Sequence, residues 1–168
     1  MPAWDLAAAS YDSVSSPQLT VDSFLSDLAF NSDGTKLYIA GSNNKRIYQY
    51  SLSTAWDVST ATYDSVSKNV GAEEANPFGL FFKPDGTRVF VVGDTNRVYQ
   101  YDLGTSWVVS SAAYNSVNVN VTTQDTNPHG VVIKSDGTKL FVLGNANRRV
   151  YQYTLGTAGG WCVGSVCF

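Results

Sequence analysis

The sequence predicts an all-β protein assembled from three copies of a four-stranded antiparallel unit, and three observations carry that expectation. The chain matches itself at a period of 51 to 52 residues: Trp4, Trp56 and Trp107 each stand 29 residues before an Asp-Gly pair, namely Asp33-Gly34, Asp85-Gly86 and Asp136-Gly137. Tyr-Gln-Tyr triplets then open at Tyr48, Tyr99 and Tyr151, 15, 14 and 15 residues after those aspartates. A fixed period of tens of residues is the mark of a repeat architecture. Within each copy the apolar residues alternate with period two and show no 3.6-residue stripe, so the elements are strands and helix is nearly absent. Asp-Gly and Gly/Asn-rich clusters separate the strands and supply the turns. Four antiparallel strands about every 50 residues are the content of one β-propeller blade, so the expected fold is a β-propeller with three blades per chain.

The elements follow in order. Residues 1–16 are an orphan outer strand, because Ala8-Ala9-Ser10-Tyr11-Asp12-Ser13-Val14 repeats Ala61-Thr62-Tyr63-Asp64-Ser65-Val66 with no blade before it. Blade one (17–67) has strands at 25–31, 36–40, 46–52 and 61–67. Blade two (68–118) has them at 78–83, 88–92, 97–103 and 112–118. In it the apolar run Phe78 to Phe82 ends at Lys83-Pro84-Asp85-Gly86-Thr87, where Asp-Gly is expected to take the positive φ angles of a tight hairpin. Gly93-Asp94-Thr95-Asn96 makes the next turn. Blade three (119–155) has strands at 129–134, 139–143 and 149–155 and lacks an outer strand. Residues 156–168 form a C-terminal hairpin or strand, with Gly159-Gly160 inserted before Trp161.

Propellers close with about four to eight blades, so three would leave two open flanks of apolar sheet. Covering several hundred Å² on each flank at ~25 cal/mol per Å² is worth about 10 kcal/mol. The expected remedy is a two-fold homodimer closing a six-bladed ring, with each N-terminal strand completing blade three of the partner or of its own chain. The alternative is that the chain is a stretch of a longer array.

The segments "FNSDGTKLYIAGSNNKRIYQYSLSTAW", "FKPDGTRVFVVGDTNRVYQYDLGTSW" and "IKSDGTKLFVLGNANRRVYQYTLGTAG" resemble the lactonase-like β-propeller repeats of secreted, surface-layer and phage proteins. The resemblance covers nearly the whole chain and implies the fold. The metal-binding carboxylates of the enzymes in that family have no motif here to match residue by residue. Trp56-Asp57 lacks the Gly-His partner of WD repeats, and the double glycine of kelch blades is absent from the strands.

Eleven basic against fourteen acidic residues give a net charge of -3, so no basic field gathers phosphates and nucleic acid is not expected as a partner. Apolar runs such as Val89 to Val92 fall far short of the ~20 residues that cross a bilayer, and membrane insertion is not expected. Met1 to Asp5 lack the basic and apolar regions of a secretory signal.

Candidate ligand-binding residues lie in the loops that enter the inner strands and in those joining second to third strands, which vary most between repeats. Glu73, Glu74, Asp94 and Asp125, with Asn76, Asn127 and other amides, could ring a Ca2+ ion or sugar hydroxyls. Solvated turn residues are the plainer reading. His129, the one histidine, sits at the start of an inner strand, where packing or hydrogen bonding at the channel mouth is expected over general-base chemistry. Arg46, Arg97 and Arg149 open each third strand, so they either meet an anion once per blade or, as repetition favours, fix structure. The Trp residues and Tyr-Gln-Tyr triplets read as inter-blade packing before sugar stacking. No Gly-x-Ser-x-Gly, His-Glu-x-x-His or phosphate-cradling motif is present.

Cys162 and Cys167 bracket Val163-Gly164-Ser165-Val166. A two-residue turn at Gly164-Ser165 would set the cysteines directly opposite at about 4.5–5.5 Å and permit a disulfide. Such a staple would indicate an oxidising location; two reduced thiols are the alternative. The combined expectation is a non-enzymatic binding or structural module with no catalytic residues and no cofactor, extracellular or in a virion as a decoration, fibre or receptor-binding component. Its partners would be a second copy and a virion or cell-surface protein or glycan. The alternatives are a lactonase-like metal-dependent hydrolase and a lectin with one site per blade.

Overall fold

The computed structural model describes residues 10–156 and the backbone of 162–163 and 166–167. Repeat one holds β1 (Leu25–Phe30), β2 (Lys36–Gly41), β3 (Arg46–Leu52) and β4 (Ala61–Asn69). Repeat two holds β5 (Pro77–Phe82), β6 (Arg88–Gly93), β7 (Arg97–Leu103) and β8 (Ala112–Asn120). Repeat three holds β9 (Pro128–Ile133), β10 (Lys139–Gly144) and β11 (Arg149–Thr154). Each repeat is one antiparallel sheet in simple sequence order, four-stranded in the first two and three-stranded in the third. Among the described residues, helix is limited to the single 3-10 turns Val58–Thr60 and Val109–Ser111. The protein is therefore all-β, built of propeller-like sheets.

The β1–β2 hairpin and its counterparts differ from expectation. Gly34, Gly86 and Gly137 take positive φ (73°, 72° and 74°), but the preceding aspartates do not. The loop is longer than a two-residue turn, because Asn31 N–H donates to Lys36 O and Gly34 N–H to Asn31 O. The aspartate works through its side chain. Asp33 Oδ1 accepts from the N–H (2.9 Å) and the hydroxyl (2.5 Å) of Thr35, and Asp85 with Thr87 and Asp136 with Thr138 repeat the arrangement. This is the local side-chain turn that favours Asp there whatever its φ.

The outer strands carry a bulge. Gln49 pairs with Val66 but Tyr50 pairs with Tyr63, and Tyr99 pairs with Asn118 but Tyr101 with Tyr114. The residues that absorb the excess are Ser65 and Ser116, at φ 58° and 64°. Each bulge draws the outer-strand tyrosine against both tyrosines of the triplet: Tyr63 lies 6.1 Å from Tyr48 and 5.3 Å from Tyr50, and Tyr114 lies 5.7 Å from both Tyr99 and Tyr101.

The repeats stack in sequence order, with β5 packed against both β1 and β9. Tyr38, Ala40 and Ile47 of repeat one form one buried cluster with Leu80, Val89, Val91, Tyr99 and Tyr101 of repeat two. Val92 and Val98 of repeat two do the same with Val131, Leu140 and Val142 of repeat three. Trp107 seals the first junction: it stacks on Tyr38 and Phe82, lies over Gly86, and its carbonyl accepts from Tyr38 Oη at 2.7 Å. Two residues on, Val109 N–H donates to Gln49 Oε1 at 3.0 Å. The indole needs a residue without Cβ beneath it at Gly86, as Trp56 does at Gly34, while the positive φ favours glycine in all three turns.

The single chain treats its two ends differently. The two flanks are covered unequally. The face of repeat one turned away from repeat two is partly covered, with Leu19, Val21, Phe30 and Tyr63 against Leu37, Ile39, Tyr48 and Tyr50, while Leu28 and Trp56 on it stay exposed. Repeat three does end in exposed apolar residues: Val132, Leu143 and, at 65% exposure, Val150. Residues 10–14 do not form a strand in the single chain; they are irregular and exposed, Tyr11 to 75%. Residues 1–9, with Trp4, and Trp161 lie outside the described residues. At the C-terminus, β12 (Cys162–Val163) and β13 (Val166–Cys167) pair in the register Cys162 to Cys167 and Val163 to Val166. The sulfur atoms of the expected disulfide lie outside the described residues.

Candidate binding face

The loops entering β1, β5 and β9 and the turns β2–β3, β6–β7 and β10–β11 meet at one end of the sheets because a buried carboxylate ties each pair together. Asp22 accepts from Phe24 N–H (3.0 Å), Asn44 N–H (2.8 Å) and Tyr48 Oη (3.3 Å). Glu74 accepts from Asn76 N–H (3.1 Å), Thr95 N–H (3.3 Å) and Thr95 Oγ1 (2.5 Å). Asp125 accepts from Asn127 N–H (2.8 Å), Ala146 N–H (3.2 Å) and Asn147 N–H (2.8 Å). These carboxylates stand 52 and 51 residues apart and all three are buried. The last residue of β2, β6 and β10 is glycine in each case, and a Cβ on Gly41, Gly93 or Gly144 would collide with Asp22, Glu74 or Asp125 respectively. The spacing of Gly41, Gly93 and Gly144 was the sequence signal for this device; their lack of side chain has its reason only in the carboxylate beside them.

The three anchors differ electrostatically. Burial pushes Glu74 up to about 7, and the neighbouring Asp94 carboxyl adds to the effect, together outweighing the Thr95 hydroxyl and the long backbone hydrogen bonds from Asn76 and Thr95 that favour the charged form. Burial also disfavours charge on Asp125, but the three backbone N–H donors of Asn147, Asn127 and Ala146, together with His129, outweigh it and hold Asp125 below the usual carboxylate range. Hydrogen bonds to the charged form decide the sign.

The other expected residues are accounted for one by one. Glu73 Oε2 accepts from the buried Tyr101 hydroxyl at 3.0 Å, and Gln124 does the same for Tyr153 at 3.1 Å. In repeat one this position is Val21, and Tyr50 Oη is buried without a partner. Asp94 is exposed and accepts from the Asn76 side-chain amide. Arg46 and Arg97 hydrogen-bond their own outer strands, at Ser67 (2.9 Å) and Asn118 (2.6 Å). Arg149, in the repeat without an outer strand, is exposed. His129 is also exposed, stacks on Phe78 with ring centroids 4.5 Å apart, and shares a hydrogen bond from Nε2 with Asn127 Oδ1 (3.1 Å). Among the described residues no three His, Cys, Asp or Glu side chains come together as a metal-holding group. Of the carboxylates expected at this face, Glu74 and Asp125 are turned into their own loops, Glu73 meets Tyr101, and Asp94 is exposed.

A cleft of about 810 Å³ opens between repeats two and three, floored by Phe81, Phe90, Val98, Ile133 and Leu140. It occupies the place that Trp107 fills at the first junction, and Gly137, the counterpart of Gly86, is exposed with nothing within 4 Å of where a Cβ would lie.

No protein-family model matches the chain, and no curated protein matches its sequence. Solved structures do resemble it. A protein of unknown function from Desulfotomaculum acetoxidans matches with a TM-score of 0.57 at 17% identity, over 74% of this chain and 36% of its own. A candidate 6-phosphogluconolactonase from Bacteroides fragilis matches with a TM-score of 0.57 at 13% identity, over 77% of this chain and 34% of its own. A protein from Lactobacillus plantarum matches with a TM-score of 0.58 at 20% identity, over 80% of this chain and 38% of its own. The chain thus spans about a third of each, and at these identities the likeness is one of fold.

Proposed function

We propose that the chain is a non-enzymatic binding or structural module of the propeller-like kind, acting through its loop face, in an extracellular or virion setting, with two copies closing a ring of six units. The observation that supports it most directly is the use made of the carboxylates. Hydrolysis needs a free base or a metal set beside a substrate-sized site, whereas Asp22, Glu74 and Asp125 are buried and bonded to their own loops, and the lone histidine stacks on Phe78. What the face leaves exposed suits contact instead: the ring of Phe24, the Phe78–His129 stack and the Asn76–Asp94 pair. Aromatic faces flanked by amides engage hydroxyl-rich or peptide surfaces by stacking and hydrogen bonding. The test sets lactone and phosphotriester hydrolysis, with and without added divalent metal, against a glycan array. The expected result is no hydrolysis. Metal-dependent turnover that disappears in His129→Ala would overturn the reading in favour of a hydrolase, and binding on the array would narrow the module to a lectin.

A further inference from the structure

We infer that residues 10–16 of one copy add to the edge of β11 in a second copy as the missing fourth strand of repeat three. This rests on the two-copy reading above and specifies its contact. Three independent features meet at that edge.

The first is backbone conformation. Ser13 takes φ 58°, the value of Ser65 in β4 and close to the 64° of Ser116 in β8, although residues 10–14 pair with no strand in the single chain. Positive φ at a non-glycine residue costs free energy; in β4 and β8 it makes the bulge that lets the outer tyrosine reach both triplet tyrosines. At Ser13 the N-terminal segment already holds the bulge dihedral of an outer strand without a neighbour.

The second is side-chain complementarity along the register of β3 with β4. In repeat one, Asp64 accepts from Lys36 Nζ (3.0 Å) and from Gln49 Nε2 (2.8 Å), and Gln49 is 4% exposed. Repeat three offers the same donors, Lys139 and Gln152, yet Gln152 is exposed. The counterpart of Asp64 is Asp12. Arg46 donates to Ser67, and the matching pair is the exposed Arg149 with Ser15. Tyr63 nests against Tyr48 and Tyr50, and its counterpart Tyr11 faces the half-covered Tyr151 and Tyr153.

The third is chain connection. Seven residues join β4 to β5, and seven join β8 to β9, each linker carrying an outer strand directly into the inner strand of the next repeat. Seven residues likewise separate position 17, the counterpart of Asn69, from Leu25. An outer strand at 10–16 therefore belongs to the unit beside repeat one on the side away from repeat two. Repeat three of the same chain is not there, because repeat two stands between the first and third repeats. Among the described residues the free edge that matches is that of β11 in a second copy, beside the exposed Val132, Leu143 and Val150.

The experiment mixes two chains, S10C and T154C, whose positions correspond to the paired Thr62 and Ser51. Facing residues of this kind have Cα atoms about 4.5–5.5 Å apart, within disulfide range. After mild oxidation, peptide mapping is expected to find a bond between the two engineered thiols across chains, and light scattering of the unmodified protein to give twice 18.2 kDa. Asp12→Lys should weaken dimerisation about tenfold, and adding Lys139→Asp should restore it. A dimer in which the engineered thiols never bond overturns the strand exchange and leaves the two-copy ring standing. A monomer at micromolar concentration overturns both, and a bond forming only within an S10C/T154C chain of monomer mass assigns the strand to its own sheet and refutes the inference.

Discussion

Glu74 and Asp125 occupy the same place in successive repeats, and they should respond to pH in opposite directions. Glu74 in the folded chain titrates at about 7 against an ordinary value of 4.5. Between those values the unfolded chain releases a proton that the folded chain keeps, so stability falls as pH rises from about 4.5 to about 7 and levels off above. At 1.36 kcal/mol per pH unit the full change is about 3 kcal/mol. Glu74→Gln keeps the shape and an oxygen for the N–H groups of Asn76 and Thr95, and it has no proton to lose. Urea unfolding of both chains should therefore show similar stability near pH 4 and a gap in favour of the variant that opens to about 2–3 kcal/mol by pH 8. Asp125 is held below its ordinary 3.8, so its contribution is present above that value and is lost as pH falls below it. Asp125→Asn sets an amide against the Asn147 N–H and should cost about 1–3 kcal/mol at neutral pH, with the loss shrinking towards pH 3. Parallel pH profiles for wild type and Glu74→Gln would refute the reasoning, because they would mean that Glu74 ionises as easily when folded as when unfolded.

Three further outcomes are expected. Gly144→Ala should lower Tm by more than an ordinary surface glycine substitution and cost about 2 kcal/mol or more, since its Cβ enters the Asp125 carboxylate; an unchanged Tm would mean that the anchor gives way freely. Trp107→Ala should cost about 3–5 kcal/mol in denaturant because it empties the junction of Tyr38, Phe82 and Gly86, whereas Trp56→Ala should cost far less, Trp56 being 59% exposed. Tyr50→Phe should be neutral or stabilising, its hydroxyl being buried without a partner, while Tyr38→Phe should lose about 1 kcal/mol with its bond to the Trp107 carbonyl; equal effects in the two variants would contradict the hydrogen-bond assignment.

The period of 51 to 52, the two-residue alternation and the turn residues determine the all-β class, the strand order and the ends of β1 to β11 to within two residues, because these depend on local pattern and sterics that each repeat states afresh. The repeating arginines read as structural, and Arg46 and Arg97 do fix their own outer strands. The Asp-Gly pair was legible as a turn, but its mechanism was not: whether Asp turns the chain through φ or through its carboxylate depends on loop length, and only the backbone reveals that. Glu74 and Asp125 read as ligand candidates because a carboxylate in a variable loop looks solvated. Their burial arises when two loops distant in sequence close over them, and only tertiary structure brings Asn76 to Thr95 or Asn127 to Asn147.

The same distinction separates the two flanks. Identical repeats imply identical faces, so the sequence treats both ends of the array alike. In the folded chain the segment entering repeat one lays Leu19 and Val21 over part of its outer face, and among the described residues nothing equivalent covers Val150. A repeat sequence fixes what each sheet is, by local patterning; which faces remain uncovered depends on where the chain enters and leaves the stack, and that is a property of the three-dimensional path alone.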